Sequence, residues 1–201
     1  MTLAYDGSSV DGSVYLDVVD LARRAPGWLD DLVSAWSTYG LLLFALLMIA
    51  AWWQARSRAT SAAAVALTAP LITMIAFGVN DLVKLAVREN RPCQSLRAIT
   101  LEACPASGDW SFPSNHSALA AAAAVALLFA SRRLGIVALV AAVLMAASRV
   151  WVGVHYPHDV LAGLAVGTLV ALPLAWAVRT QLAPVAEQLA STRLRPLLAT
   201  S

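Results

Sequence analysis

Five apolar runs dominate this chain, at Leu32–Trp53, Ala62–Val87, Ser117–Ala130, Leu134–Val152 and Val160–Val178. Most approach the roughly 20 residues that an α-helix needs to cross a bilayer. Hydrocarbon offers no water to backbone N–H and C=O groups, so a spanning segment must satisfy them internally. That restricts the chain to an all-α integral membrane helical bundle, with about five transmembrane helices. Composition agrees: 13% of the 201 residues are charged, against about 25% in a soluble domain. Trp36, Tyr39, Trp52, Trp53, Trp151, Tyr156 and Trp176 fall near the ends of the runs, where interfacial aromatics belong. Pro70 lies inside the second run, and a kink is tolerated there. The third run is short; a start nearer Ser114, with polar residues facing a cavity, would lengthen it.

The ends of the chain read differently. Residues 1–31 are polar with scattered apolar positions, among them Val14, Leu16, Val18, Val19 and Leu21. This predicts an N-terminal amphipathic segment on the membrane, a flexible tail being the alternative. A basic start, a continuous apolar run and a cleavage site are all lacking, so it is not a signal peptide. Residues 32–179 form the membrane domain. Residues 180–201, with Pro184 and Pro196, are expected to form an interfacial helix and then a disordered cytoplasmic tail.

Arg56 and Arg58, then Arg132 and Arg133, then Arg179, Arg193 and Arg195 follow spans one, three and five. With five spans they share one side, which the positive-inside rule makes the cytoplasm. Eleven of the twelve acidic residues, all but Glu187, then fall on or near the outer side. Arg23 and Arg24 are outer exceptions with acidic neighbours. The only cysteines, Cys93 and Cys104, share an outer loop. An oxidising compartment allows a disulfide there, worth roughly 3 kcal/mol in the chain-entropy picture; two free thiols is the alternative. No CxxC or HExxH spacing is present, so a zinc site is not expected.

Three polar stretches stand at outer ends of spans. The first is Lys84 to Pro92, KLAVRENRP, with Lys84 and Arg91 at the rim. Intramembrane cations default to function, although a snorkelling lysine is the plain structural alternative. Asp81 is three residues from Lys84, within reach across a helix turn. The second is Phe112 to Ser117, FPSNHS, before the third run. A serine cap there would open a helix whose free N–H groups and dipole attract anions. His116 would stand beside that anion; alone, the stretch reads equally as an N-cap and an interfacial histidine. The third is Ser148 to Asp159, SRVWVGVHYPHD. Pro157 suits the first turn of a helix, which puts His155 just before it and Asp159 inside it. A carboxylate so placed fixes the imidazole tautomer, and Arg149 can fork onto an oxyanion.

Together the stretches offer fixed cations, a helix N-terminus and two histidines. That set suits phosphoryl transfer to a histidine. The cations stabilise the equatorial oxygens, His155 attacks phosphorus with Asp159 orienting it, and His116 protonates the leaving oxygen. Fixed cations neutralise the phosphate, so neither a metal nor a cofactor is expected.

At these residues the chain resembles the type-2 phosphatidic acid phosphatase superfamily. The pattern K-x6-RP, PSGH, SR-x5-H-x3-D is met, in order, by Lys84-x6-Arg91-Pro92, by Pro113-Ser114-Asn115-His116 and by Ser148-Arg149-x5-His155-x3-Asp159. The resemblance implies a helical core, a phosphohistidine on His155 and metal independence. It also implies that Lys84, Arg91, Ser114, His116 and Arg149 bind phosphate. Asn115 stands where the family usually has Gly; Asn tolerates left-handed backbone angles, so the anion loop is expected to survive with Asn115 in it. His158 carries no family role and is expected to face solvent. Within the superfamily the layout looks most like bacterial undecaprenyl pyrophosphate phosphatases. That likeness implies a polyprenyl pyrophosphate substrate, attacked outside the cytoplasm of a bacterial plasma membrane to recycle the carrier lipid of the cell wall. Phosphatidate or phosphatidylglycerol phosphate would fit the same geometry, and a catalytically dead lipid-phosphate binding or transport module stays open. The expected partners are the bilayer and a lipid phosphate, not nucleic acid. The spans exclude a soluble vanadate-using relative.

Overall fold

Alanine decides where the core lies. In the computed structural model, which describes residues 5–181, 183–193 and 195–199, the helix α6 (Asn115–Ala130) reads NHSALAAAAAVALLFA and is buried along most of its length. Its small side chains let three long helices close around it: α4 (Thr60–Val87), α7 (Arg132–Trp151) and α8 (Pro157–Thr180). The tightest approach is between α6 and α8. A side chain at Gly163 or Gly167 would strike the carbonyl oxygens of Ser114 or Ala118 on α6. This is the small-xxx-small logic by which membrane helices gain packing energy without a hydrophobic drive. It also fixes Ser114, at the start of α6, against the first turn of α8.

Among the described residues the regular elements are helices, apart from one isolated β-bridge. α4, α7 and α8 are each long and apolar enough to span. The first apolar run is not one straight helix. It is α2 (Gly27–Tyr39) and α3 (Leu41–Ala55), bent by 55° at Gly40. A side chain at Gly40 would meet the Trp36 carbonyl at 2.5 Å and the Met145 methyl at 2.7 Å. Taken as one broken span, this pair makes a fourth crossing. α6 differs from a fifth: its 16 residues give about 24 Å of helix, less than the roughly 30 Å hydrocarbon core. It starts inside the bundle, where its first turn serves the site. Between α4 and α6 the connecting loop holds one short helix, α5 (Pro92–Ser95), which follows directly on Arg91.

The amphipathic segment forms α1 (Ser8–Arg24) and has two working faces. Val10, Val14 and Leu21 are exposed, while Tyr15, Val19 and Ala22 dock on the bundle. The Tyr15 hydroxyl donates to the Gly153 carbonyl at 2.9 Å. Residues 1–4 lie outside the described residues. At the opposite end, α9 (Ala183–Ala190) and α10 (Arg195–Leu198) fold back on α4. Ala186 and Leu198 bury against Ala64, and Trp52 Nε1 donates to the Leu197 carbonyl at 2.8 Å. The expected disorder after the interfacial helix is therefore not found among the described residues up to Ala199, because this stretch has an apolar face and a surface to cover; Thr200 and Ser201 lie outside the described residues.

Candidate active site

Four helix ends deliver the three polar stretches to one place: the C-terminus of α4, the N-termini of α6 and α8, and the C-terminus of α7. α8 opens with Pro157 at its first position and Asp159 in its first turn. The Asp159 carboxylate accepts the N–H of Tyr156 at 2.8 Å, as in a capping box. Its Oδ2 lies 3.3 Å from His155 Nδ1. The helix start thus builds the histidine–carboxylate pair.

His155 sits in the short turn before α8 and is almost wholly buried. Its Nε2 lies 3.1 Å from Arg91 Nη1. With Nδ1–H directed at Asp159, the Nε2 lone pair accepts from Arg91. Burial pushes the imidazole well below its ordinary value, and the charges of Arg91, Lys84, Arg149 and His116 push the same way. His155 is thus a neutral imidazole held among cations.

Arg91, Lys84 and Arg149 are held by the loop between α4 and α6. Arg91 Nε donates to the Asp109 carbonyl and Nη2 to the Asp109 carboxylate, both at 2.9 Å. Nη1 also donates to the Val154 carbonyl at 3.0 Å. Lys84, buried at the end of α4, donates to the Trp110 carbonyl at 2.8 Å and reaches the Ser111 carbonyl at 3.4 Å. It turns inward to these carbonyls and not to Asp81, because the loop presents acceptors within the bundle. Arg149, buried in the last turn of α7, donates from Nη1 to Ser37 Oγ and pairs with Glu102 Oε2 at 3.2 Å. Its Nε has no hydrogen-bond partner among the described residues. Cys93 and Cys104 are disulfide-bonded and anchor this loop.

Ser114 is the N-cap of α6, its Oγ 3.5 Å from Ser117 N, and its own N–H donates to the Asp159 carbonyl at 3.0 Å. His116 lies in the first turn of α6, half-buried. Asn115 is already helical, so its tolerance of left-handed angles is not called upon. Its Oδ1 instead accepts from Asn80 Nδ2 at 2.6 Å, and Asn80 also reaches the Pro113 carbonyl at 3.2 Å. Asn115 thus ties the loop to α4.

His158 does not face solvent. It stacks on Tyr156 with ring centroids 5.3 Å apart. Nδ1 is 2.7 Å from Asp11 and Nε2 is 2.9 Å from Glu89. Glu89 is buried, which pushes its carboxyl up, while the hydrogen bond from His158 opposes that rise. The imidazole joins α1 to the end of α4, because two carboxylates need a partner there. Glu89, His158 and Asp159 each bring one potential ligand atom within 4.8 Å of the others, a spacing compatible with a metal ion.

Among the described residues, side chains outside the motifs also contribute, among them Ser37, Asn80, Glu102, Asp109 and Ser111. Ser111 is the most central. Its hydroxyl donates to Asp159 Oδ2 at 2.5 Å and lies 3.3 Å from His155 Nδ1. A serine beside FPSNH carries no chemical signal of its own; only the fold brings it to the carboxylate.

The sequence profile of the PAP2 superfamily matches residues 65–183. This chain belongs to the PAP2 superfamily. Undecaprenyl-diphosphatase BcrC of Bacillus subtilis is 32% identical over 142 residues, 71% of each chain. An undecaprenyl-diphosphatase of Sulfolobus acidocaldarius is 33% identical over 105 residues, 52% of this chain and 50% of its own. The crystal structure of a transmembrane PAP2-type phosphatidylglycerolphosphate phosphatase from Bacillus subtilis shares the fold. It superposes with a TM-score of 0.61 at 22% identity, covering 85% of this chain and 86% of that one. These relatives support lipid phosphatase activity for this multi-pass PAP2 protein.

Proposed function

We propose that the protein hydrolyses the terminal phosphate of a polyprenyl pyrophosphate, such as undecaprenyl or decaprenyl pyrophosphate, through a phosphohistidine on His155. The observation that carries this reading is the polarisation of His155, with Asp159 on Nδ1 and Arg91 on Nε2. Nε2 attacks the terminal phosphorus in line, and the bond to the bridging oxygen breaks. His116 protonates that oxygen, releasing the lipid monophosphate. It then takes a proton from water, which displaces His155 and yields inorganic phosphate. Lys84, Arg91 and Arg149, with Ser114 and Asn115 at the α6 start, hold the phosphoryl oxygens. These side chains supply the positive charge, so the mechanism runs without a metal.

A groove of about 350 Å³ between α2 and α7 supports a lipid substrate. Leu32, Val33, Trp36, Leu144 and Trp151 line it, with Ser148, the neighbour of Arg149, beside them. An isoprenoid tail there keeps its contact with the bilayer while the headgroup reaches Arg149. In this reading residues 32–179 are the catalytic bundle, residues 1–31 a segment closing over it and residues 180–201 a cytoplasmic tail. The arginines at the far end orient the site to the outside of a bacterial plasma membrane, where the product returns to cell-wall synthesis as carrier lipid.

The test is phosphate release by the purified protein in detergent with EDTA. Undecaprenyl pyrophosphate, phosphatidate and phosphatidylglycerol phosphate are compared, with His155→Ala as blank. The expected result is a strong preference for the pyrophosphate, unaffected by EDTA. Preference for a glycerolipid would keep the chemistry and change the substrate. Loss of activity in EDTA, restored by Mg²⁺, would refute the metal-free mechanism. Equal, negligible release by wild type and variant would turn the reading to a binding module.

A further inference from the structure

Two of the three buried site cations are already paired with carboxylates that belong to no motif. Glu102 meets Arg149 at 3.2 and 3.4 Å, and its Oε1 accepts from Ser37 Oγ at 2.6 Å. Asp109 meets Arg91 at 2.9 Å. Both come from the connection between α5 and α6: Glu102 lies within the Cys93–Cys104 bridge, two residues from Cys104, and Asp109 lies five residues beyond it. The loop is further held by Gln94 Nε2 on the Pro105 carbonyl at 2.9 Å and by Glu102 N on the Val152 carbonyl at 3.3 Å. The carboxylate side chains themselves are freer. The Asp109 side chain is 55% exposed and that of Glu102 25%, whereas the arginines beneath them are buried. A carboxylate and a phosphoryl group offer a guanidinium the same fork of oxygens.

We propose that Glu102 and Asp109 are resident competitors for the phosphate-binding arginines, and that they set the charge a headgroup must bring in order to enter. The proposal rests on the phosphatase reading for its substrate, though not for its binding measurement. A terminal phosphate or pyrophosphate carries about two negative charges or more near neutral pH, enough to replace a carboxylate on each arginine. A phosphodiester headgroup of the surrounding bilayer carries one. It leaves at least one carboxylate in place and meets that carboxylate's repulsion. The loop thereby rejects the abundant phospholipids by a repulsive element, not by a tighter fit to the substrate.

The experiment uses the full-length protein in neutral detergent, as wild type, Glu102→Gln and Asp109→Asn. Both substitutions keep shape and remove charge. Calorimetric binding of inorganic phosphate is measured first. Phosphatidylglycerol, a singly charged phosphodiester, is then added to mixed micelles as an inhibitor of turnover. Each variant is expected to bind phosphate about tenfold more tightly, a change worth about 1.4 kcal/mol. Phosphatidylglycerol should inhibit the variants competitively and wild type weakly. Phosphate affinity unchanged or weakened in both variants would overturn the proposal, since the carboxylates would then only be orienting the arginines. Asp109, the more exposed residue, gives the decisive variant if Glu102→Gln fails to fold. If wild type hydrolyses no lipid, the phosphatase reading fails, yet phosphate binding still decides the competition.

Discussion

Arg132 and Arg149 stand at opposite ends of α7. Arg132 is exposed, beside Arg133, and with Arg58 and Arg179 it rims a surface concavity. Arg149 is buried and held by Ser37 and Glu102. Removing a guanidinium from water costs several kcal/mol unless hydrogen bonds and an opposite charge compensate. The far end incurs no such cost: Arg132 and Arg133 are exposed and need no opposite charge to offset burial. The near end incurs it three times, at Lys84, Arg91 and Arg149, and surrounds each cation with acceptors. Number and type of charge do not separate orientation from chemistry; burial with dedicated partners does.

The sharpest way to break this comparison is to change one arginine at each end. Arg149→Lys should lower turnover about 10²-fold or more, because an ammonium cannot fork onto the phosphoryl oxygens. Arg132→Gln should leave turnover within about twofold and stability within about 0.5 kcal/mol, as exposed substitutions do. Phosphate-release kinetics and a melting curve check both. Equal losses would mean that α7 transmits charge effects along its length and that burial is not the distinction.

The packing that seats the near end should give the next largest effect. Gly167→Leu drives a side chain into the α6 backbone at Ala118, and should cost about 1–3 kcal/mol by overpacking. Turnover should fall with stability, since the adjoining contact at Gly163 holds Ser114 against α8. A variant with normal melting and normal rate would show that the α6–α8 approach is not needed.

The smallest effect is a shift along the pH axis. The folded site disfavours the imidazolium of His155, so its protonation is displaced below the ordinary 6.5. For His155 taken by itself, the unfolded state binds more protons than the folded one just below pH 6.5, so the contribution of this group to stability falls as pH falls. His155, the proposed nucleophile, nevertheless stays neutral, so the acid limb of kcat/KM should reach half its plateau below pH 6.5. A pH–rate profile with its half-point at or above 6.5 would contradict the environment described for His155.

Much of this site is legible in the chain because its chemistry sits in short, regular pieces. Pro157 and Asp159 announce the start of α8, and the spacing back to His155 follows from helix geometry. Ser114 announces α6 in the same way. The role of Asn115 is not legible, because its partner, Asn80, is 35 residues away in sequence. The surroundings of His158 are hidden for the same reason, its carboxylates arriving from Asp11 and Glu89. The bend at Gly40 and the short α6 also escape a reading by run length. Apolar content says that a segment avoids water, not whether it is straight or central.

The chain alone announces its apolar surroundings, its helical character and the residue types of the site, though not the bend at Gly40 or the length of α6. Hydrophobic runs and proline- or serine-led helix starts are local properties that the chain enforces residue by residue. Tertiary structure alone decided which acceptor meets which cation. Glu102 reaches Arg149 across 47 residues and Ser111 reaches Asp159 across 48. Such pairs depend on the close packing of α6 and α8 that alanine and glycine allow, and on the position of the disulfide-bonded loop. A polar contact between distant segments is set by packing geometry, and no local pattern records it.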